Sequence, residues 1–184
     1  VGLLLYWVNR FVMRRLFRLR VAGLENLPES GPCLITPNHV SDLDALAIAA
    51  AIPISRMYRV YWAGDIVRLF FSAWTRFLCR AAHLFPVDET HPGAAVRAAV
   101  RVLQAGNTQV WFPEGWRSPD GRLQRFLPGV GEVLLHAKVP AVPVWIGGAF
   151  EALPRGSHVP KFRQVTLNFG RPIAPERLIS EGAG

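Results

Sequence analysis

One histidine and two carboxylates stand close together in the run Pro37-Asn38-His39-Val40-Ser41-Asp42-Leu43-Asp44, and the segment from Leu43 to Ala51 that follows is small and apolar apart from Asp44. Imidazole is the side chain best suited to exchange a proton near neutral pH, provided a second group fixes which ring nitrogen carries it. On one continuous helix, positions 39 and 44 would fall on different faces. If His39 lies in a strand-to-helix turn and Asp44 in the first helical turn, the carboxylate can fold back, accept Nδ1–H and leave Nε2 as a base. That is the His and Asp of a serine-hydrolase triad without its serine, and the nucleophile is then a hydroxyl of the substrate. A plainer reading uses the same residues. Ser41 and Asp44 spell S-x-x-D, a helix capping box whose side chains only satisfy backbone N–H groups. Ser41 as a nucleophile is a third reading, but two residues from His39 its hydroxyl is better placed to cap.

A second stretch, FPEGWRSPDG from Phe112 to Gly121, ends a run of strand-forming residues. It offers a carboxylate at Glu114, a flexible Gly115, a guanidinium at Arg117, a hydroxyl at Ser118 and backbone amides, at the strand end where α/β proteins keep their sites. Arginine binds phosphate through a planar bidentate fork, so Arg117 is the natural anchor for a phosphorylated substrate. Glu114 would orient the substrate hydroxyl or hold Arg117. Taken alone, the stretch also reads as an ordinary Pro/Gly turn with a surface ion pair.

The order NHVSDLD, FPEGWRS and VPAVPV resembles the glycerophospholipid acyltransferase family, whose lysophosphatidate acyltransferases carry NHxxxxD, FPEGTRS and VPIVPV blocks. The resemblance runs from Val21 to Pro172 and includes the opening VAGLENLPESGP and the closing VTLNFGRPI. It implies that His39 and Asp44 are the catalytic pair and that Glu114, Gly115 and Arg117 hold a glycerol phosphate. It further implies that Val139 to Val144 lie on the donor side. The implied reaction moves a fatty acyl group from acyl-CoA or acyl carrier protein to the hydroxyl of lysophosphatidate or a related lysophospholipid. A thioester is already activated, so no cofactor and no metal is expected. Oxyanion donors are expected either at the start of the helix after Ser41 or in the turn from Glu114 to Ser118. This sequence departs from the family pattern twice. Trp116 stands where Thr is common, and LFPVDET places Glu89 where an arginine that grips the acceptor phosphate is usual. Arg80, Arg122 and Arg125 are the candidates to compensate.

Positioning these groups requires strands that deliver them to one edge. Hydrophobic periodicity predicts strands around Val21, Cys33–Thr36, Met57–Trp62, His83–Pro86, Thr108–Phe112, Val139–Ile146 and Gln164–Phe169. It predicts helices over Leu43–Ala51, Ile66–Leu78, Pro92–Gly106 and Val130–Ala137, then a polar tail. Strands and helices alternate, so the class is α/β. The resemblance adds a mixed, largely parallel central sheet flanked by helices, as in glycerol-3-phosphate acyltransferases.

With 184 residues, the chain is long enough for one domain with a full core. Residues 1–20 read as a basic amphipathic segment ahead of a domain over 21–184. From Trp7 to Arg20 the residues Val8, Val12, Leu16 and Leu19 recur at helical spacing, with Arg10, Arg14 and Arg18 opposite and no acid among the first twenty positions. That pattern predicts a helix lying on anionic lipid, or one whose apolar stripe packs on its own domain. Val1 to Val8 is apolar but too short to span a bilayer. The chain opens on Val1 rather than Met, which reads as a domain cut from a longer protein. A net charge of +8, carried almost wholly by arginine, favours a phosphate-bearing partner. The arginines are scattered and no nucleic-acid motif is present, so the expected partner is an anionic membrane surface and not nucleic acid. Cys33 and Cys79 lie in no disulfide or zinc spacing, in keeping with a membrane-associated protein on the reducing cytoplasmic face. A non-catalytic lipid-binding module and a thioesterase-like hydrolase are the rival readings.

Overall fold

Residues 2–65, 72–87 and 91–182 are described in the structure, a computed structural model. The helices are α1 (Gly2–Arg15), α2 (Leu43–Ala51), α3 (Ile54–Met57), α4 (Ala73–Ala81), α5 (Pro92–Gln104), α6 (Gly129–Ala137), α7 (Ala149–Ala152) and α8 (Pro175–Gly182). The strands are β1 (Arg20–Ala22), β2 (Leu34–Pro37), β3 (Val60–Asp65), β4 (Leu84–Val87), β5 (Thr108–Val110), β6 (Ala141–Gly147) and β7 (Thr166–Phe169). They form one sheet in the order β1-β7-β6-β2-β5-β3-β4. The five strands from β6 to β4 are mutually parallel; β7 runs antiparallel to β6, and β1 runs parallel to β7. The expected mixed, largely parallel sheet with flanking helices is present.

Side chains alternate across the sheet with a period of two, and two neighbours on β2 show where each face goes. Ile35 packs with Ala47, Ile48, Met13 and Phe17 beneath α1 and α2. Leu34 packs with Ala99, Leu103 and Val133 beneath α5 and α6. Both are fully buried, each contributing about 1.5–3 kcal/mol of apolar burial, so β2 is clamped between two helical layers. From β2 the chain skips over β5 to reach β3, and from β5 it skips over β2 to reach β6. The connections leave in opposite directions at this point, which opens a crevice at the carboxyl ends of β2 and β5.

Proline inside a central strand removes a ladder donor, and β6 tolerates Pro143 because of where β7 stops. The β6–β7 ladder begins at Val144 opposite Phe169; Pro143 offers only its carbonyl, which accepts Gly170 N–H at 2.8 Å, and the next bridge joins Ala141 to Ile173. The apolar fourth block is therefore a core strand. Val139, Val142 and Val144 are buried in the two cores, so the site meets this block through its backbone.

Several boundaries differ from the sequence expectation. The first helix starts and stops earlier than Trp7–Arg20: Arg18 takes a left-handed φ of 46°, and Arg20 already belongs to β1. Its inward stripe is also different. Tyr6 and Met13 are buried, as is Phe17 just beyond the helix; Arg10 donates to the Ala50 carbonyl and Asn9 to Leu46 O, both on α2, and Arg10 also donates to the Tyr6 hydroxyl within α1. Val12 and Leu19 join that core, whereas Val8 and Leu16 are exposed with Leu4, Trp7 and Phe11. The polar tail includes α8, and a short α7 was not anticipated. Of the expected helix Ile66–Leu78, residues 66–71 lie outside the described residues; Ser72 is a bend, and α4 covers the remainder from Ala73 and runs on to Ala81.

Candidate active site

The carboxyl end of β2 delivers Asn38 and His39 into the crevice. Asn38 is buried, and its side-chain amide pairs with β6 as a peptide group would, donating to Ile146 O at 3.1 Å and accepting Ile146 N–H at 2.7 Å. This continues the ladder past Pro37 and fixes the direction in which His39 leaves the sheet. Asp44, in the first turn of α2, is fully buried. Its Oδ2 lies 2.9 Å from His39 Nδ1 and accepts the backbone N–H groups of Val40 at 2.7 Å and Ser41 at 2.8 Å. The catalytic and capping readings of Asp44 thus fall on one oxygen atom. Oδ1 is buried with no hydrogen-bond partner among the described residues, so the acceptance of this carboxylate is concentrated on the side facing the ring. The imidazole stacks on Phe112 with centroids 4.0 Å apart and keeps one fifth of its side chain exposed. Its Nε2 makes no hydrogen bond to a described residue.

Ser41 is committed elsewhere. Its hydroxyl accepts from Leu43 N at 3.1 Å and donates to Leu153 O at 2.7 Å, which caps α2 and ties the histidine turn to the segment after α7. Asp42 makes no cap bond; its carboxylate pairs with the Arg117 guanidinium.

The loop after β5 supports that turn from the other side. Glu114 does not hold Arg117, one of the two roles expected of it. Oε1 accepts His39 N–H at 2.7 Å and Oε2 accepts Gln124 N–H at 2.8 Å, so both oxygens of this buried carboxylate are taken by backbone amides. Gly115 bends the loop with a φ of 75°, the left-handed region that favours glycine, while its N–H returns to Phe112 O at 3.1 Å. Ser118 is fully buried: its N–H donates to His39 O at 2.8 Å and its hydroxyl to Asp120 at 3.0 Å, so it braces the turn and presents no surface to a ligand. The Arg122 N–H and the Ser118 hydroxyl hold the Asp120 carboxyl below its usual value of 3.8. Arg117 is buried next to its partner Asp42, whose side chain is largely exposed at the mouth of the crevice. The fold therefore brings His39, Asp44, Glu114, Gly115, Arg117 and Ser118 into one constellation, with two of the six serving as braces.

Of the compensating arginines, Arg122 lies 3.8 Å from Asp120 and is almost fully solvated. Arg80 and Arg125 are exposed, and their guanidinium groups make no hydrogen bond to a described residue. Glu89 lies outside the described residues. Asn38, Phe112, Asp42 and Leu153 were not singled out from sequence. Three of these lie within the two quoted motifs, but Leu153 carries no local signal at all.

The family model for Acyltransferase matches residues 18–147, which include the whole constellation. The chain belongs to this acyltransferase family. It is 29% identical over 142 residues to the chloroplastic 1-acyl-sn-glycerol-3-phosphate acyltransferase BAT2 of Brassica napus, covering 77% of this chain and 40% of that one. It is 30% identical over 163 residues to a 1-acyl-sn-glycerol-3-phosphate acyltransferase of Limnanthes douglasii, covering 84% and 54%. Against the human 1-acyl-sn-glycerol-3-phosphate acyltransferase alpha it is 30% identical over 136 residues, covering 69% and 44%. The chain thus spans about half the length, or less, of these relatives. The crystal structure of the 1-acyl-sn-glycerophosphate acyltransferase PlsC from Thermotoga maritima shares the fold, with a TM-score of 0.74 at 23% identity over 93% of this chain and 69% of that one.

Proposed function

We propose that this protein transfers a fatty acyl group from the thioester of acyl-CoA or acyl carrier protein to the free hydroxyl of lysophosphatidate or a related lysophospholipid. The observation that carries the reading is the His39 imidazole, held through Nδ1 by a buried carboxylate while Nε2 bonds to no described residue at a partly open face. As the acceptor oxygen attacks the thioester carbonyl, Nε2 removes its proton and Asp44 stabilises the imidazolium. The C–S bond then breaks, and the sulfur leaves as a thiol with the proton from the imidazolium. General-base assistance of this kind is worth about 10²–10⁴-fold.

Oxyanion stabilisation falls to the loop after β5. At the helix start, the amides of Val40, Ser41 and Leu43 are already given to Asp44 and Ser41, which leaves Asp42 N–H alone there without a described acceptor. In the loop, Gly115 N and Ser118 N are also engaged, whereas the Trp116 and Arg117 N–H groups donate to no described residue. Those two amides are the donors the reaction would use. Arg117, within the Glu114–Gly115–Trp116–Arg117 turn, binds the acceptor phosphate in competition with Asp42.

A membrane-surface role rests on α1. Its inner face is consumed by α2, yet Leu4, Trp7 and Phe11 on the other side are 68%, 52% and 63% exposed, and Arg14, Arg15 and Arg18 follow. A solvated helix gains nothing from such a face, whereas an anionic bilayer interface matches both its apolar and its basic part. No helix among the described residues is long and apolar enough to cross a membrane. We place the protein on the cytoplasmic face, where acyl donors are supplied.

The test is a thiol-release assay with acyl-CoA and acyl carrier protein donors across lysophosphatidate, other lysophospholipids and glycerol 3-phosphate. Thiol release matched by acylated lysophosphatidate is expected. Free fatty acid without an acylated lipid would identify a hydrolase, and lipid binding without thioester consumption a non-catalytic module.

A further inference from the structure

We propose that Arg155, standing over the Trp116 ring, is a second cationic anchor for the acceptor's phosphate, of which Arg117 is the first. The inference rests on the acyl-transfer reading above and assigns a specificity residue to the same site.

Charge balance makes a second anchor necessary. Arg117 is buried, and the carboxylate of Asp42 already offsets its charge. A phosphate monoester carries close to two negative charges at neutral pH and has three acceptor oxygens, so one neutralised guanidinium matches it poorly. Arg155 is different. It is exposed, and its partners are an aromatic face and a carbonyl: the guanidinium carbon lies 5.9 Å from the Trp116 ring centroid, and Nη1 donates to Arg117 O at 3.3 Å. It forms no ion pair among the described residues. A guanidinium has five N–H donors, and one carbonyl engages only one of them. The remaining fork is available to a planar, bidentate anion contact.

The chain around Arg155 fastens it to both halves of the crevice. Two residues earlier, Leu153 O accepts the Ser41 hydroxyl at 2.7 Å, which docks this segment on the histidine turn. The bond to Arg117 O docks it on the loop after β5. An arginine held against an indole has given up part of its rotamer freedom before a ligand arrives, so less is lost on binding. Because Arg155 bonds to the residue that carries the first anchor, we assign the phosphate to the acceptor and not to the donor.

Arg155→Ala is compared with wild type in steady-state transfer from oleoyl-CoA to lysophosphatidate. The KM for lysophosphatidate should rise about tenfold or more, while kcat and the KM for oleoyl-CoA stay within about twofold. Arg155→Lys should recover only part of the loss, because it restores the charge without the plane. Trp116→Thr, which removes the ring beneath Arg155, should raise the same KM by a smaller factor. Calorimetric titration provides a readout independent of turnover: the variant should bind lysophosphatidate more weakly and bind monooleoylglycerol, which lacks the phosphate, as wild type does. An unchanged KM and unchanged lysophosphatidate binding would overturn the proposal. So would a KM effect confined to oleoyl-CoA, or a fall in kcat and melting temperature with no selectivity for the phosphate. If wild type acylates no acceptor, the acyl-transfer reading fails by itself. The titration then decides the anchor: about tenfold weaker lysophosphatidate binding by Arg155→Ala supports it and equal binding overturns it.

Discussion

After β2, the chain turns sharply into α2, and its polar groups close on one another: Asp44 takes two backbone amides and the imidazole on a single oxygen, and Ser41 caps the helix. After the neighbouring β5, the loop wanders as far as Pro128 before the next helix, and its polar groups divide. Glu114 and Ser118 are buried and reach back to brace His39, whereas Trp116 and the Arg117–Asp42 pair stand at the mouth. The first region can hold one proton-transfer geometry and little else. On the proposed reading, the second separates support from recognition, so its recognising residues can change without disturbing the imidazole. Trp116 in place of the usual Thr is a change of that kind.

Substitutions on the two sides should separate accordingly. His39→Ala should give the largest effect, lowering acyl transfer by about 10²–10⁴-fold while stability moves by about 1 kcal/mol or less. Thiol release and thermal melting read the two, and activity within a few-fold of wild type would remove the base. Asp44→Ala should lose activity and stability together. It strands the buried Val40 and Ser41 amides, each worth about 1–3 kcal/mol, so a denaturant titration that matched wild type would disprove the capping half of its role. On the recognition side, Arg117→Ala should raise the acceptor KM by about tenfold with little change in kcat. A fall in kcat alone would place Arg117 among the braces. Ser41→Ala should cost about 1 kcal/mol from the lost cap and leave turnover near normal. Collapse of turnover would make Ser41 the nucleophile.

Asp120→Asn should give the smallest effect. The fold lowers this carboxyl below 3.8, so its contribution is present above that pH and is lost as the pH falls toward the lowered value. The melting-temperature gap between wild type and Asp120→Asn should therefore narrow on acidification; a constant gap would show that the carboxylate does not hold the loop.

Much of the fold was legible because burial leaves its mark in the sequence. The unbroken apolar run from Cys33 to Ile35, the small apolar run from Leu43 to Ala51 and the helical spacing from Pro92 to Gly106 place β2, α2 and α5 close to where they lie. The first helix was harder to read. Apolar residues occur on both of its sides, so periodicity found an apolar stripe but could not say which one α2 would cover. The folding-back of Asp44 onto His39 was legible as well, because both ends lie within one turn. Glu114 was misread because its partners, the amides of His39 and Gln124, are backbone groups that leave no trace in side-chain chemistry.

The sequence by itself carried the α/β class in its alternating elements, the family in the resemblance of its blocks, and the pairing of His39 with Asp44 as one of two readings of a short segment. Only the tertiary structure decided that Ser41 reaches Leu153, that Arg117 is neutralised by Asp42, and that Arg155 stands over Trp116. Those contacts join segments far apart in the chain. Their partners meet because the strand order carries β2, β5 and β6 side by side, a consequence of the whole sheet that no local pattern encodes.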